Sequence, residues 1–450
     1  MRIPPESSGM LHQSRLIGLS LLIAFAILML SLLVGPRVPY ERQTEFCVVN
    51  VHIAGPFGVS IICDSPEYLR LAREPSALLE PHNLRQSRPG LVLLAAVLVA
   101  PLSPLANLAQ RFGISASRAD IDQSRINNAL ATDFPGYVVY VALNASFVLL
   151  SFYLFHLIGR PPKADPASAM IFVSVCFLVA AVDPLKPFLW SPHNQMFNIL
   201  APIFAVWASL RASEGAMTDL RYVLLVGLIA GFGSTAYPLF IIVLPCVLVA
   251  SLVAAFGATR HSALAATILN FFLLFLLTML PETLWYLFVR AKTGGFYQYE
   301  MEHDRLVVWM FDAWQQGARD LVEMWLGKFW ALMAEAIVQM APVAALLPVL
   351  AYTLFSRRGA LRPTLIKMLP LALCCLMVTL VTNAFYATAG YVSWRLAFAI
   401  IPPLIVGVGT AIVVSAEGLP ERQRWIAAYA CTAITLVQSI VLVVKNGPYS

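Results

Sequence analysis

Apolar runs of about 20 residues, enough to cross the roughly 30 Å of bilayer hydrocarbon, recur from one end of this chain to the other. Polar and basic turns separate them. The runs fall at 16–35, 136–158, 167–183, 194–211, 222–236, 237–257, 262–289, 329–355, 364–385, 394–416 and 424–444. Backbone groups in lipid have to be satisfied within their own segment, so the pattern predicts helices. The expected fold is all-α: a polytopic helical membrane protein of about eleven spans, one transmembrane domain over 1–450. Two long loops interrupt the alternation, 36–134 and 290–328. The run at 16–35 follows a short leader with Arg2 and Arg15. It is long for the core of a signal peptide and no small-x-small cleavage site follows, so it reads as a retained first span.

Charge sets the orientation. Arg160 and Lys163, Arg211 and Arg221, Arg260, Arg357, Arg358 and Arg362, and Arg422 and Arg424 all fall on one side if the spans alternate. The opposite short loops hold only Lys186. The positive-inside rule makes the first side cytoplasmic. The apolar stretch 91–109 disturbs this parity if it crosses. It contains Pro101 and Pro104, which break a helix in its middle. It therefore reads as a bent hairpin or a surface-lying helix that does not cross. Loop 36–134 then lies outside with the second long loop, and the N-terminus lies inside. A bacterial inner (plasma) membrane is the expected setting.

Composition adds little beyond this. The chain has 450 residues, 59% apolar and 12% charged, against about 25% charged in a soluble domain. The net charge of +6 is accounted for by the basic loops, and no basic stripe interleaved with aromatics suggests a nucleic-acid partner. Of the seven cysteines, Cys176, Cys246, Cys374, Cys375 and Cys431 lie in apolar runs and read as packing residues. Cys47 and Cys63 share the first loop and could form a disulfide there.

The candidate chemistry sits at the outer ends of the spans. Asp183, Glu282, Glu335 and Arg395 border the spans at that level, and none lies near the middle. A coupled transporter would place ionisable groups at the midplane. The most polar stretch is Cys63 to Gly90. Asp64 and Glu67 have the spacing of a capping box, with Pro66 in the first turn. The same carboxylates, with Tyr68 one turn on, could serve as a general base at the membrane surface. Arg85 and Arg88 are interface arginines or a phosphate clamp. Asp183 before Pro184 could face Asp64 across an outer cleft, and with His193 the two acids could hold a divalent cation, Mg2+ or Mn2+. Loop 290–328 groups Glu300, Glu302, His303, Asp304 and Arg305, then shows helical spacing of Val308, Phe311, Trp314, Leu321, Trp325 and Phe329, the pattern of an interfacial helix. Arg395 is an interface anchor or a ligand for lipid phosphate. No Walker loop, dinucleotide fingerprint or nucleophile elbow is present.

In order, these features resemble the GT-C superfamily of integral membrane glycosyltransferases, in particular the protein-mannosyltransferase and aminoarabinose-transferase branch. The match rests on Asp64-Ser-Pro-Glu67-Tyr68, Arg85-Gln-Ser-Arg88-Pro89, Asp183-Pro184, the glycine-rich Gly227 to Gly233 with Tyr237-Pro238, Glu302-His303, and Tyr391 to Arg395. The resemblance implies transfer of a sugar from a polyprenyl-phosphate carrier to a glycan, lipid or protein acceptor at the extracytoplasmic face, with inversion. It implies catalytic roles for Asp64, Glu67 and Asp183. It implies substrate contacts from Tyr68, Arg85, Arg88, His193, Glu302, His303 and Arg395. Where the family pairs two acids, this chain has Asp64 followed by Ser65, with Glu67 three residues on. A flippase for a lipid-linked saccharide, or a polysaccharide polymerase or ligase with its arginines in loop 290–328 (Arg290, Arg305, Arg319), are the alternative readings.

Overall fold

The computed structural model describes residues 6–33, 48–54, 57–62, 64–105, 115–117, 133–159, 165–182, 185–257, 261–302, 305–357 and 361–444. Long helices dominate. The first, α1, is Glu6–Leu33. The first long loop then contributes β1 (Val48–Ala54), β2 (Phe57–Ile62), α2 (Ser65–Arg73), α3 (Pro89–Val99) and β3 (Ser115–Ser117). The membrane bundle follows as α4 (Phe134–Gly159), α5 (Pro166–Ala180), the short α6 (Leu185–Leu189), α7 (Phe197–Ser213), α8 (Leu220–Ala236), α9 (Val243–Gly257) and α10 (His261–Thr293). The second long loop holds α11 (Tyr299–Glu302), α12 (Val308–Gln316) and the start of α13 (Ala318–Val338). The chain ends with α14 (Ala341–Ser356), α15 (Leu361–Ala389), α16 (Trp394–Ala397), α17 (Ile401–Ala416) and α18 (Glu421–Val444).

Among the described residues, six helices are long and apolar enough to cross a bilayer, seven when one bent pair counts as a single span. Five shorter apolar helices of 10–17 residues accompany them. Large apolar side chains stand exposed on the outer helices, among them Leu269 and Phe272 on α10 and Phe232 on α8. An apolar exterior of this kind suits lipid rather than water. The chain is thus a helical membrane protein, and the helix positions follow the apolar runs closely.

Two details differ from the expectation and a third, the break in 91–109, follows it. The first loop carries a small antiparallel sheet of order β2-β1-β3, with Val48 opposite Ile62 and His52 opposite Ser115. Alternating valines and isoleucines in 48–62 favour strands, and outside the bilayer nothing forbids an open sheet. The run 329–355 is not one straight span: α13 and α14 meet at an elbow of 68° across Gln339 and Met340. Pro342 in the first turn of α14 prevents a continuous helix there. The stretch 91–109 does break at its prolines, since α3 ends at Val99 and a 3-10 turn covers Ala100–Leu105. Eleven helical residues rise about 16 Å, roughly half the hydrocarbon thickness.

Glycine sets one critical contact. At Gly231 on α8 an added Cβ would lie 2.5 Å from the Leu277 carbonyl oxygen on α10, and at Gly227 it would lie 2.7 Å from Leu277 Cβ. The small-xxx-small spacing lets these two backbones touch. This brings the last turn of α8 and the turn of α10 bearing Trp285 to the same end of the bundle as the first loop. There Trp285 Nε1 donates to the Gln86 carbonyl at 2.7 Å, and Arg73 reaches Asp133, just before α4, at 2.7 Å. The opposite end gathers the basic turns, where Arg211 meets Glu214, Lys367 meets Glu417 and Arg424 meets Asp165.

Candidate functional site

Asp64 begins the site. It has helical φ and ψ of −74° and −15°, and its side chain makes no capping hydrogen bond to α2. The capping-box expectation fails for a local reason. Glu67 is drawn away by Arg70 at 3.2 Å and by Asn83 Nδ2 at 3.3 Å. The Asp64 carboxylate turns to Arg85 instead, whose Nη2 donates to Oδ2 at 2.5 Å. His193 Nε2 lies 3.7 Å from the same oxygen. Arg85 also stands over the Tyr68 ring, with Cζ 4.7 Å from its centre. The Arg85 side chain is 11% exposed and that of Asp64 41%, so the cation is enclosed and the carboxylate faces outward.

Two turns of chain far apart in sequence build this cluster around the start of α2. The 80–88 turn is fixed by Gln86, whose Nε2 donates to the Leu78 carbonyl at 2.9 Å while its Oε1 accepts from the Tyr297 amide at 2.7 Å. Gln86 therefore ties the first long loop to the second. The turn between α6 and α7 is fixed by Asn144 of α4, whose buried Nδ2 faces the carbonyls of Phe188, Leu189 and Ser191 at 3.1, 3.2 and 2.8 Å. That turn presents His193 between the rings of Tyr68 and Phe188, at 5.6 and 5.3 Å. Below it, Tyr386 donates to Asn198 Oδ1 at 2.6 Å and meets the Tyr237 hydroxyl at 3.0 Å. Asn198 Nδ2 donates to Gln195 Oε1 at 2.5 Å and to the Arg395 carbonyl at 3.2 Å.

The electrostatics follow from this enclosure. Burial pushes the Asp64 carboxyl up, but the imidazole of His193 and the charge of Arg85 outweigh it and hold the group well below the usual carboxylate range. Burial pushes His193 down to about 4, against the opposing pull of Asp64. At neutral pH the pair is an ionised carboxylate beside a neutral imidazole. Arg395 is near enough to act on His193. Arg88, at the start of α3, is near enough to Glu282, Tyr237 and Tyr386 to act on each of them. Of the three arginines at this end of the bundle, Arg85 pairs with the carboxylate, Arg395 acts on His193 and Arg88 acts on the tyrosines.

Of the residues singled out in the sequence, Asp64, Tyr68, Arg85, Arg88, His193 and Arg395 come together. Glu67 belongs to the Arg70 and Asn83 network. Glu302 is exposed, its Oε1 3.5 Å from the Gln298 amide of its own turn. Asp183, His303, Cys47 and Cys63 lie outside the described residues. The cation set expected from the sequence includes Asp183, which lies outside the described residues. Among the described residues no three His, Cys, Asp or Glu side chains gather as ligands. Asp64 and His193 supply two donors, and Arg85 already holds the carboxylate. No step is assigned to a metal.

Sequence reasoning missed Asn144, Gln86, Trp285, the Tyr237–Tyr386 pair, and Asn194 to Asn198 beyond His193. Its available signal was the polar block Ser191-Pro-His-Asn-Gln195 set between two apolar runs. No family model, no curated protein and no solved structure matches the chain.

Proposed function

We propose that this protein is a glycosyltransferase that moves a sugar from a polyprenyl-phosphate carrier to an acceptor hydroxyl at the extracytoplasmic membrane face. The observation that carries the reading is an ionised, partly exposed Asp64 paired with Arg85 at the end of a membrane bundle, where Arg395 acts on the neighbouring His193 and Arg88 on Tyr237. A polyprenyl phosphate already contains its leaving group. The acceptor oxygen attacks the anomeric carbon from the side opposite the phosphate, so the configuration inverts. The carbon–oxygen bond to phosphate breaks and its electron pair departs on the phosphate. Asp64 takes the hydroxyl proton, and the arginines neutralise the charge growing on the leaving group. A strongly ionised carboxylate is a weak base toward a resting alcohol. The hydroxyl becomes acidic only as its bond to carbon forms, so the proton moves late.

The topology that supports this reading has eleven spans, in which the helices at 17–33, 166–180, 197–213 and 220–236 join the seven longer ones and α3 stays on one side. The end of the bundle with Arg211, Arg357, Lys367 and Arg424 is then cytoplasmic by its positive charge, and the Asp64 end is extracytoplasmic. The test is transfer in proteoliposomes from labelled polyprenyl-phosphate hexoses. Asp64→Asn is expected to lower the rate about 10²–10⁴-fold. Undiminished transfer by that variant removes Asp64 as the base. Failure of the wild type with every donor, together with movement of the lipid between leaflets, replaces transfer with transport.

A further inference from the structure

The elbow between α13 and α14 divides one apolar run into two pieces with different surroundings. α14 follows α17 to the basic end of the bundle, where Thr353 Oγ1 meets Ser415 Oγ at 2.7 Å and Arg357 reaches the Val414 carbonyl at 3.3 Å. α13 stays at the other end. Trp325 Nε1 donates to Thr388 Oγ1 at 3.0 Å and Lys328 Nζ to the Gly390 carbonyl at 3.0 Å. Gln339, just past the helix, donates from Nε2 to the Trp394 carbonyl at 2.8 Å. Trp325 and Gln339 stand about 21 Å apart along the helix axis, yet both reach the connection between α15 and α16. The bend is 68°. With α14 along the membrane normal, α13 descends only about 12 Å over a length of about 31 Å.

The surface of α13 fits that posture. Val322, Leu326, Trp330 and Ile337 are exposed, and their spacing keeps them on one stripe of the helix. Arg319 heads the stripe, paired with Glu323 at 2.7 Å. The other exposed side carries Met324, Gly327, Ala331 and Glu335, mostly small and ending on a carboxylate. On α12, Phe311 and Trp314 stand exposed three residues apart. The far side of α12 is anchored, since Trp309 Nε1 donates to the Thr388 carbonyl at 3.1 Å and Lys328 Nζ lies 4.9 Å from its ring centre. The two exposed acids decide how α13 lies. Upright, the helix would carry Glu335 about 18 Å deeper than Glu323, and a carboxylate facing hydrocarbon there is costly. At the observed bend the difference is about 7 Å.

We infer that α12 and α13 form a plate seated in the bilayer leaflet at the Asp64 end, with Phe311, Trp314, Val322, Leu326, Trp330 and Ile337 against lipid and Glu335 turned to the polar side. The occupant is bilayer lipid. The stripe belongs to the same run that crosses as α14, whose Leu347 and Phe355 are likewise exposed. Aromatic rings below a basic residue are what the headgroup boundary accommodates. The seat reaches the site as well. Trp325, Lys328 and Gln339 hold the connection that bears Arg395, so the plate sets the depth of that guanidinium in the leaflet. None of this depends on the glycosyltransferase reading.

The test places a nitroxide label on Val322→Cys, Leu326→Cys, Trp330→Cys, Ile337→Cys and Glu335→Cys, one at a time in the full chain, in liposomes of phosphatidylcholine and phosphatidylglycerol. Power saturation with oxygen and with a water-soluble nickel chelate reports the surroundings and depth of each label, after subtraction of the signal from the unsubstituted protein treated alike. The four stripe positions are expected to show an oxygen-to-nickel accessibility ratio several-fold above that of Glu335→Cys. Depth is expected to grow by only about 8 Å from position 322 to position 337. Growth of about 22 Å over the same stretch means an upright crossing helix and overturns the inference. Nickel access along the stripe, which puts the plate in water, also overturns it. So do immobilised labels that oxygen does not reach, which put a second copy of the chain on the stripe. All five positions are exposed, so the labels displace no packed side chain, and should one variant fail to fold the others decide. No transfer assay enters, so the plate and the enzyme reading fail separately.

Discussion

At the residue scale, the pair Asp64–His193 makes the molecule sensitive to acid in a defined window. His193 titrates at about 4 when folded, against 6.5 when free. A base whose folded pKa is depressed binds fewer protons in the native state, so stability is lost as pH falls from 6.5 toward 4. The loss amounts to about 3 kcal/mol at most. Asp64 is also depressed, so its contribution is present above the ordinary carboxylate pKa and disappears only below that window. Thermal unfolding in detergent between pH 7 and pH 4 should show a steep fall in Tm for the wild type and a flatter one for His193→Gln. Equal slopes would mean that the imidazole is not held neutral. The sequence showed Asp64 as a carboxylate at a helix start. It also supported a capping box, which the structure replaces with an ion pair to Arg85. The ambiguity was physical, because both roles use the same short-range spacing, and only the fold shows that Arg70 and Asn83 take Glu67 out of the motif.

At the element scale, close contact of α8 and α10 depends on the absence of side chains. Gly231→Ala drives a methyl into the Leu277 carbonyl and is expected to cost about 1–3 kcal/mol, as overpacked cores do. Gly327 in α13 has nothing within 4 Å of an added Cβ. Gly327→Ala should therefore stabilise by about 0.5–1 kcal/mol through helix propensity alone. Unfolding in a common detergent should separate the two variants in opposite directions. The helices themselves were readable, because apolar length and proline position report them directly. The elbow between α13 and α14 was not, since Pro342 and Pro348 both fall in the run 329–355 and only the first coincides with the bend. The buried turn at 190–198 was missed for a related reason. Asn144 holds it from another helix, and a contact between positions so distant in sequence leaves no periodic trace.

At the scale of the whole molecule, the two ends of the bundle differ in charge and in function under the proposed topology. Arg319, 88% exposed on α13, belongs to the Asp64 end, and the exposed Glu421 opens α18 at the other. A membrane-impermeant maleimide added to intact cells should label Arg319→Cys. It should label Glu421→Cys only after permeabilisation. Labelling in the opposite sense would invert the topology and put Asp64 on the cytoplasmic side.

The hydrogen bonds beneath the site also run in one direction. With the Tyr386 proton committed to Asn198 Oδ1, the Tyr237 hydroxyl donates to Tyr386, and the row ends on an amide whose own protons go to Gln195 and Arg395. An amide oxygen that accepts a hydrogen bond has no proton to hand on. The row is a blocked wire, and in the proposed reaction the proton taken by Asp64, whose side chain is 41% exposed, leaves by the water at the surface. Under the proposed reaction this row gives the proton no route across the bundle, and collapsing the gradient across the proteoliposome with an ionophore should leave the transfer rate unchanged.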